Sequence, residues 1–209
     1  MISAIEALER LKEGNGRFVS GLRSLDTLMS QSRRSELISG QTPFAVILGC
    51  SDSRVPVEII FDQGLGDLFV IRVAGNIVAP SLIGSVEYAV SQLGTQLVVV
   101  MGHTQCGAVQ ATLQELQQPT ENQSRNLRSI VERIRPSVEE LLETDLRHDQ
   151  AALTKHAVRS NVRVSAYQLR HSSEILEQLI EDGKLLVVGA EYALETGVVD
   201  FFDGMPDDI

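Results

Sequence analysis

Residues 97–107 read LVVVMGHTQCG. The first five form an unbroken apolar run that is too short for a buried helix, rich in Val and not alternating. Such a run is typical of a parallel strand covered on both faces. Three other runs of the same kind occur at residues 44–48, 68–73 and 185–188. The sequence therefore predicts a sheet built mainly from parallel strands.

The segments between these runs have helical spacing of their apolar residues. Residues 81–93 are bracketed by Pro80 and Gly94, and further helices are predicted over 106–116, 127–142 and 151–180. Residues 198–202 could return as an edge strand beside 185–188. Strands that alternate with helices predict the α/β class: a central, mostly parallel sheet flanked by helices.

The N-terminal residues form no part of a strand–helix pair. Residues 2–22 place apolar side chains on roughly one face, so residues 1–40 are interpreted as an N-terminal helical arm. The arm could pack on its own domain or on a partner subunit. Since no composition break or repeat interrupts the chain, residues 1–209 are expected to form a single domain.

Composition excludes several classes of protein. The 209 residues carry a formal net charge of −10, only 4% are aromatic and none is Trp, which argues against a nucleic-acid partner. No apolar run approaches the roughly 20 residues of a membrane span. The acidic N-terminal segment does not resemble a signal peptide, so a cytoplasmic location is expected. The two cysteines are too few for a disulfide scaffold and are therefore expected to be buried, catalytic or metal-bound.

Chemistry-bearing residues follow two of the strand runs. The first run continues as GCSDSR over residues 49–54, and the run at 97–101 continues as GHTQCG over residues 102–107. Ligands bind in the crevice beyond the carboxyl ends of parallel strands, where both motifs fall. The two sulfurs, the imidazole and the carboxylate suit tetrahedral zinc; they belong to Cys50, Asp52, His103 and Cys106. From these residues alone, a redox or nucleophilic thiol pair and a purely structural role stay open.

Four motifs in this order resemble the β-class carbonic anhydrases: CSDSR at 50–54, RVAGN at 72–76, EYA at 87–89 and HTQCG at 103–107. The resemblance implies zinc-dependent, reversible hydration of carbon dioxide to bicarbonate and a proton, by attack of zinc-bound hydroxide. It also implies one Zn²⁺ per subunit and a dimer-based fold, assembled as a homodimer or homotetramer.

The same resemblance assigns roles by position. Cys50, His103 and Cys106 would bind zinc, and Asp52 and Arg54 would form a dyad beside it. Held by Arg54, Asp52 can accept a hydrogen bond from zinc-bound water. If Asp52 instead leaves Arg54 and binds zinc as a fourth ligand, the site is closed.

The resemblance also implies a small, mostly apolar substrate pocket, partly supplied by a facing subunit. Its members would be Gln41, Phe69, Ala74, Tyr88 and the backbone amide of Gly107.

One departure concerns regulation. A subset of the family binds inhibitory bicarbonate at a second site made of Trp, Arg and Tyr. Arg72 and Tyr192 stand at matching places, but Ile47 occupies the Trp position. The sequence thus argues against a switch of that form.

Three other functions compete with carbon dioxide hydration: hydrolysis of another linear triatomic such as carbonyl sulfide, a non-catalytic bicarbonate sensor, and a redox thiol protein. The intact donor set and dyad favour the enzyme.

Overall fold

A computed structural model describes residues 2–22, 31–119 and 124–206. The remainder of the predicted arm (Met1 and residues 23–30) and residues 207–209 of the predicted domain lie outside the described residues. The sheet strands are β1 (Ala45–Gly49), β2 (Leu68–Arg72), β3 (Leu97–His103), β4 (Leu186–Tyr192) and β5 (Val199–Asp203). The helices are α1 (Ala4–Ser20), α2 (Gln31–Glu36), α3 (Val57–Ile60), α4 (Pro80–Gln92), α5 (Gly107–Gln117), α6 (Arg125–Val138), α7 (Gln150–His171) and α8 (Glu174–Glu181). Short 3₁₀ turns cover Leu37–Ser39, Ala74–Asn76, Glu140–Glu143 and Asp145–His148.

The five strands form one sheet in the order β2-β1-β3-β4-β5. Strands β2, β1, β3 and β4 are parallel to one another, and β5 runs antiparallel beside β4. This confirms the predicted mostly parallel sheet. Because β1 and β3 are neighbours, with Gly49 opposite Met101, the loops that follow them open at the same edge of the sheet.

Both faces of the sheet are buried, as the non-alternating apolar runs predict. One face packs on α1 and α3 through Ile47, Val99 and their neighbours. The other packs on α4, α7 and α8 through Val46, Val98 and their neighbours. At Gly102, a Cβ atom would lie 2.6 Å from Val162 Cγ2 of α7, so glycine permits the close approach of this helix to β3.

Helix α1 packs on the sheet of its own chain. A capping box formed by Ser3 and Glu6 begins the helix, and Leu8 and Leu11 are fully buried in the core. The Asn15 side chain donates to the carbonyl oxygen of Gly197, 2.8 Å away, which ties the helix to the β4–β5 connection. Helix α1, the first part of the predicted arm, thus packs on its own domain, and packing of the arm on a partner subunit stays a prediction.

The prediction of one long helix over residues 151–180 is wrong, because this segment forms two helices, α7 and α8. Ser173 has an extended backbone (φ −149°, ψ 120°), and its hydroxyl accepts the amide of Leu176 to cap α8. The same hydroxyl donates to Glu87 of α4 at 2.6 Å. A local capping bond and a contact with another helix therefore override the continuous helical pattern. Within the described residues, no helix has the length and apolarity to cross a membrane.

Candidate metal centre

The two donor loops meet at the carboxyl ends of β1 and β3. Cys50 directly follows β1, His103 is the last residue of β3, and Cys106 immediately precedes α5. One ligand atom from each of these residues lies within 4.8 Å of the other two. The structure thus brings together three of the four predicted donors in a group that could hold a metal ion.

The two thiols are free, buried and close together, with 3.9 Å between their sulfur atoms. The backbone amide of Gly75 donates to Cys50 Sγ at 3.3 Å. The hydrogen bond with Cys106 lowers the pKa of Cys50. The same contact, together with burial, raises the pKa of Cys106. One sulfur of the pair is therefore readily ionised, and a thiolate is the form that binds metals.

His103 presents one ring nitrogen to the group. Its Nδ1 lies 2.8 Å from the carbonyl oxygen of Thr104, and since a carbonyl can only accept, Nδ1 must carry the proton. In the neutral ring the other nitrogen, Nε2, then has the lone pair, and it is fully buried with no hydrogen-bond partner among the residues that the structure describes. In metal-binding histidines, a hydrogen bond from the ring nitrogen that does not bind the metal fixes the tautomer in this way. Two buried sulfurs and a free imidazole lone pair fit zinc.

Asp52 and Arg54 form a bidentate pair beside the donors. Arg54 Nε donates to Asp52 Oδ1 at 2.9 Å, and its Nη2 donates to Oδ2 at 2.7 Å. This contact lowers the pKa of Asp52 well below its usual range and raises the pKa of Arg54. Asp52 Oδ2 lies 3.8 Å from His103 Nε2. Asp52 is thus held by Arg54 at the edge of the donor group, and its role as a fourth ligand stays a prediction.

Arg72 holds the backbone of the loop that follows β1, a role that the sequence did not reveal. Its Nε donates to the carbonyl oxygen of Cys50 at 3.0 Å, and its Nη2 donates to that of Asp52 at 2.6 Å. The signal in the sequence is an arginine at the carboxyl end of the neighbouring strand β2. Ile47, at the place of the expected Trp, is fully buried on β1.

The predicted substrate residues divide into two groups. Ala74 lies beside Gly75, whose amide contacts Cys50, and Gly107 follows Cys106, so both adjoin the donors. Gln41 precedes the amino end of β1, whereas the donors follow the carboxyl end.

Phe69 and Tyr88 are remote from the donors within the chain. Phe69 pairs with Val46 on β1, roughly 10 Å before the end of that strand at about 3.3 Å per residue. Its ring centroid is 6.2 Å from that of Tyr88, which is 50% exposed. A single chain does not bring Gln41, Phe69 and Tyr88 to the donors. Their place in the substrate pocket stays a prediction, and it requires that they reach the donors of a second subunit.

Buried sulfur and imidazole donors at the carboxyl edge of a parallel sheet, beside a carboxylate held by arginine, define a candidate metalloenzyme of the α/β class. The family model described as carbonic anhydrase matches residues 45–199. The chain is 42% identical to carbonic anhydrase 2 of Mycobacterium tuberculosis over 193 residues, which is 92% of this chain and 90% of that protein. The chain belongs to the β-carbonic anhydrase family and is an enzyme, a carbonic anhydrase.

Solved structures agree with this assignment. The β-carbonic anhydrase CcaA superposes with a TM-score of 0.73 at 27% identity and covers 96% of this chain and 93% of its own. A tetrameric β-carbonic anhydrase from Sordaria macrospora has a TM-score of 0.71 at 25% identity, with 81% of this chain and 85% of its own covered.

Proposed function

We propose that this chain binds one zinc ion through Cys50, His103 and Cys106 and hydrates carbon dioxide reversibly to bicarbonate and a proton. The observation that carries the proposal is the buried Nε2 of His103, which has no hydrogen-bond partner within the described part of the chain and lies in a group with two buried sulfurs. Three protein donors leave one tetrahedral position for water, as in catalytic zinc sites.

Zinc, when bound, supplies a Lewis acid that acidifies water at neutral pH. Two thiolates would offset most of the zinc charge and so weaken this acidification of water. The carboxylate of Asp52, beside the donors, is proposed to compensate for the loss. Asp52 accepts a hydrogen bond from the attacking water and directs a lone pair of that water towards the carbon of the substrate. Arg54 lowers the pKa of Asp52, so this carboxylate stays ionised and able to accept a hydrogen bond at neutral pH and well into the acid range.

Arg54 orients Asp52 as well as keeping it charged. Its two side-chain bonds and the bond from its own amide to Oδ1, at 2.9 Å, fix the plane of the carboxylate. With Asp52 bonded to Arg54 in this way, a zinc ion held by Cys50, His103 and Cys106 would keep a position for water. Movement of Asp52 from Arg54 to the metal would fill that position and stop the reaction.

The substrate pocket and the assembly are proposed together. Carbon dioxide is small and apolar, so a mostly hydrocarbon pocket suits it. Ala74 and Gly107 come from the same chain as the donors, while a second copy supplies Gln41, Phe69 and Tyr88. The tetrameric relative from Sordaria macrospora supports a homodimer or homotetramer. A single domain in the cytoplasm, where thiols stay reduced, completes the proposal.

The test is stopped-flow hydration of carbon dioxide across pH on protein of measured zinc content. We expect activity in proportion to zinc, up to about one ion per chain. Sulfide release from carbonyl sulfide, measured on the same protein, should be slower. Full zinc with no hydration at any pH would overturn the proposal, and faster sulfide release would reassign the substrate.

A further inference from the structure

The link between two of the metal donors is only two residues long. Thr104 and Gln105 alone separate His103 from Cys106, so the conformation of this link sets the distance between both donors. Gln105 has φ +55°, in the left-handed region that residues other than glycine seldom adopt. A conformation of this kind persists only where the surrounding structure enforces it.

Glu195, in the connection between β4 and β5, binds both residues of the link. Its Oε2 accepts the Thr104 hydroxyl at 2.9 Å, and its Oε1 accepts Gln105 Nε2 at 2.6 Å. Thr104 Oγ1 in turn accepts the amide of Leu194 at 3.0 Å. One carboxylate thus bridges the two side chains that lie between the donors.

Packing does little to hold these side chains. Gln105 and Glu195 are exposed and border a groove of about 600 Å³, which Thr154 and Lys155 also line. The hydrogen bond from its own amide lowers the pKa of Glu195, and the bonds from Thr104 and Gln105 act in the same direction. The acceptor is therefore ionised at neutral pH, and hydrogen bonds, more than burial, fix the link.

We infer that Glu195 is a positioning residue that holds His103 and Cys106 at ligating distance through Thr104 and Gln105. The inference rests on the proposed function, because it assumes that these residues bind a metal. Groups that orient metal ligands in this indirect way typically change metal affinity when they are removed.

The test compares three variants with the wild-type protein. Zinc affinity is measured by competition with a chromophoric chelator, and the visible spectrum of the cobalt(II) form reports the ligand geometry. Glu195→Ala should weaken zinc binding by about 10-fold and change the cobalt spectrum. Glu195→Gln should behave like the wild type, since its amide can accept from Thr104 and donate to a reoriented Gln105. Glu9→Ala, at an exposed position on α1, is the matched control and should change neither measurement.

Each outcome decides between distinct explanations. Wild-type zinc affinity and an unchanged cobalt spectrum in Glu195→Ala would overturn the inference, even if the thermal unfolding temperature fell. Equal losses in Glu195→Ala and Glu195→Gln would also overturn it, because negative charge rather than hydrogen bonding would then be the cause. If the wild type itself bound no zinc, the proposed function would fail, and the inference with it.

Discussion

The two loops that carry the metal donors are held in different ways. In the first donor loop, residues 50–54, positive side chains make most of the contacts, beside the bond from the Gly75 amide to Cys50 Sγ. Arg54 binds the carboxylate of Asp52, and Arg72 binds the carbonyl oxygens of Cys50 and Asp52.

The second donor loop, residues 103–106, is held mainly by uncharged donors, and its one contact with a positive side chain is the longer bond from Arg54 Nη2 to the carbonyl oxygen of Gln105, at 3.4 Å. The amide of Thr104 donates to the carbonyl oxygen of Tyr192 at 2.9 Å, and the Thr104 and Gln105 side chains donate to Glu195. The difference indicates that the contacts of the two loops have different roles. Under the proposed function, we expect the charged contacts of the first loop to affect the reaction by orienting Asp52, and the contacts of the second loop to affect mainly the positions of the donors.

The largest effect should come from removing a sulfur donor, and it should be the same in both loops. Cys50→Ser and Cys106→Ser should each weaken zinc binding by at least about 100-fold, because a total binding free energy of about 10–16 kcal/mol is shared among few ligands. Zinc content after dialysis and hydration activity measure the loss. If either variant retained full zinc, the substituted cysteine would not be a zinc ligand.

The next effect separates the loops. Asp52→Asn keeps the size of the side chain but removes its charge, and it should lower hydration by about 100-fold or more, since proton-handling groups contribute roughly 10²–10⁴-fold. Bound zinc should stay at the wild-type level. Glu195→Gln, the same exchange at the second loop, should leave turnover nearly unchanged. Similar turnover in both variants would contradict the different roles that we assign to the contacts of the two loops.

A smaller loss is expected when Asp52 keeps its charge but loses its partner. Arg54→Ala should reduce hydration at neutral pH by about 10- to 100-fold with zinc still bound, because Asp52 is then free to occupy the fourth metal position. Arg54→Lys should fall between this variant and the wild type, since an ammonium group cannot make the bidentate contact. Full activity of Arg54→Ala in the stopped-flow assay would show that the dyad has no role.

The smallest effect is confined to acid pH. Arg54 depresses the folded-state pKa of Asp52, so the pair contributes stability above the unfolded value and loses it as pH falls through the folded value. In ¹³C NMR of the metal-free protein with labelled aspartate, wild-type Asp52 should stay ionised at pH values where Asp52 of Arg54→Ala titrates, near its ordinary pKa of about 3.9. Identical titration curves would mean that the ion pair does not form in solution.

Much of the fold could be predicted because its strands are short apolar runs. The runs at 44–48, 68–73, 97–101 and 185–188 correspond to β1 to β4 within a few residues, and 198–202 to β5. Strands β3 and β4 extend beyond their apolar runs to His103 and Tyr192, because these residues pair with one another. No local pattern reveals such pairing, just as none reveals the break at Ser173, which depends on a contact with α4.

The candidate site was predictable where residue types are rare. Two cysteines and a histidine at strand ends limit the choice of donors, and the structure brings Cys50, His103 and Cys106 together. Glu195 could not be singled out, since an exposed glutamate has no distinctive sequence signal. Its contact with Thr104 exists only because β4 pairs with β3 and places the two loops side by side.

X-ray absorption at the zinc edge of the metal-loaded protein examines the proposed ligand set itself. We expect two sulfurs at about 2.3 Å, one imidazole nitrogen at about 2.0–2.1 Å and one further light donor. These are the donors that Cys50, Cys106, His103 and the open fourth position supply. A spectrum with fewer than two sulfurs, or with an all-oxygen shell, would contradict this ligand set.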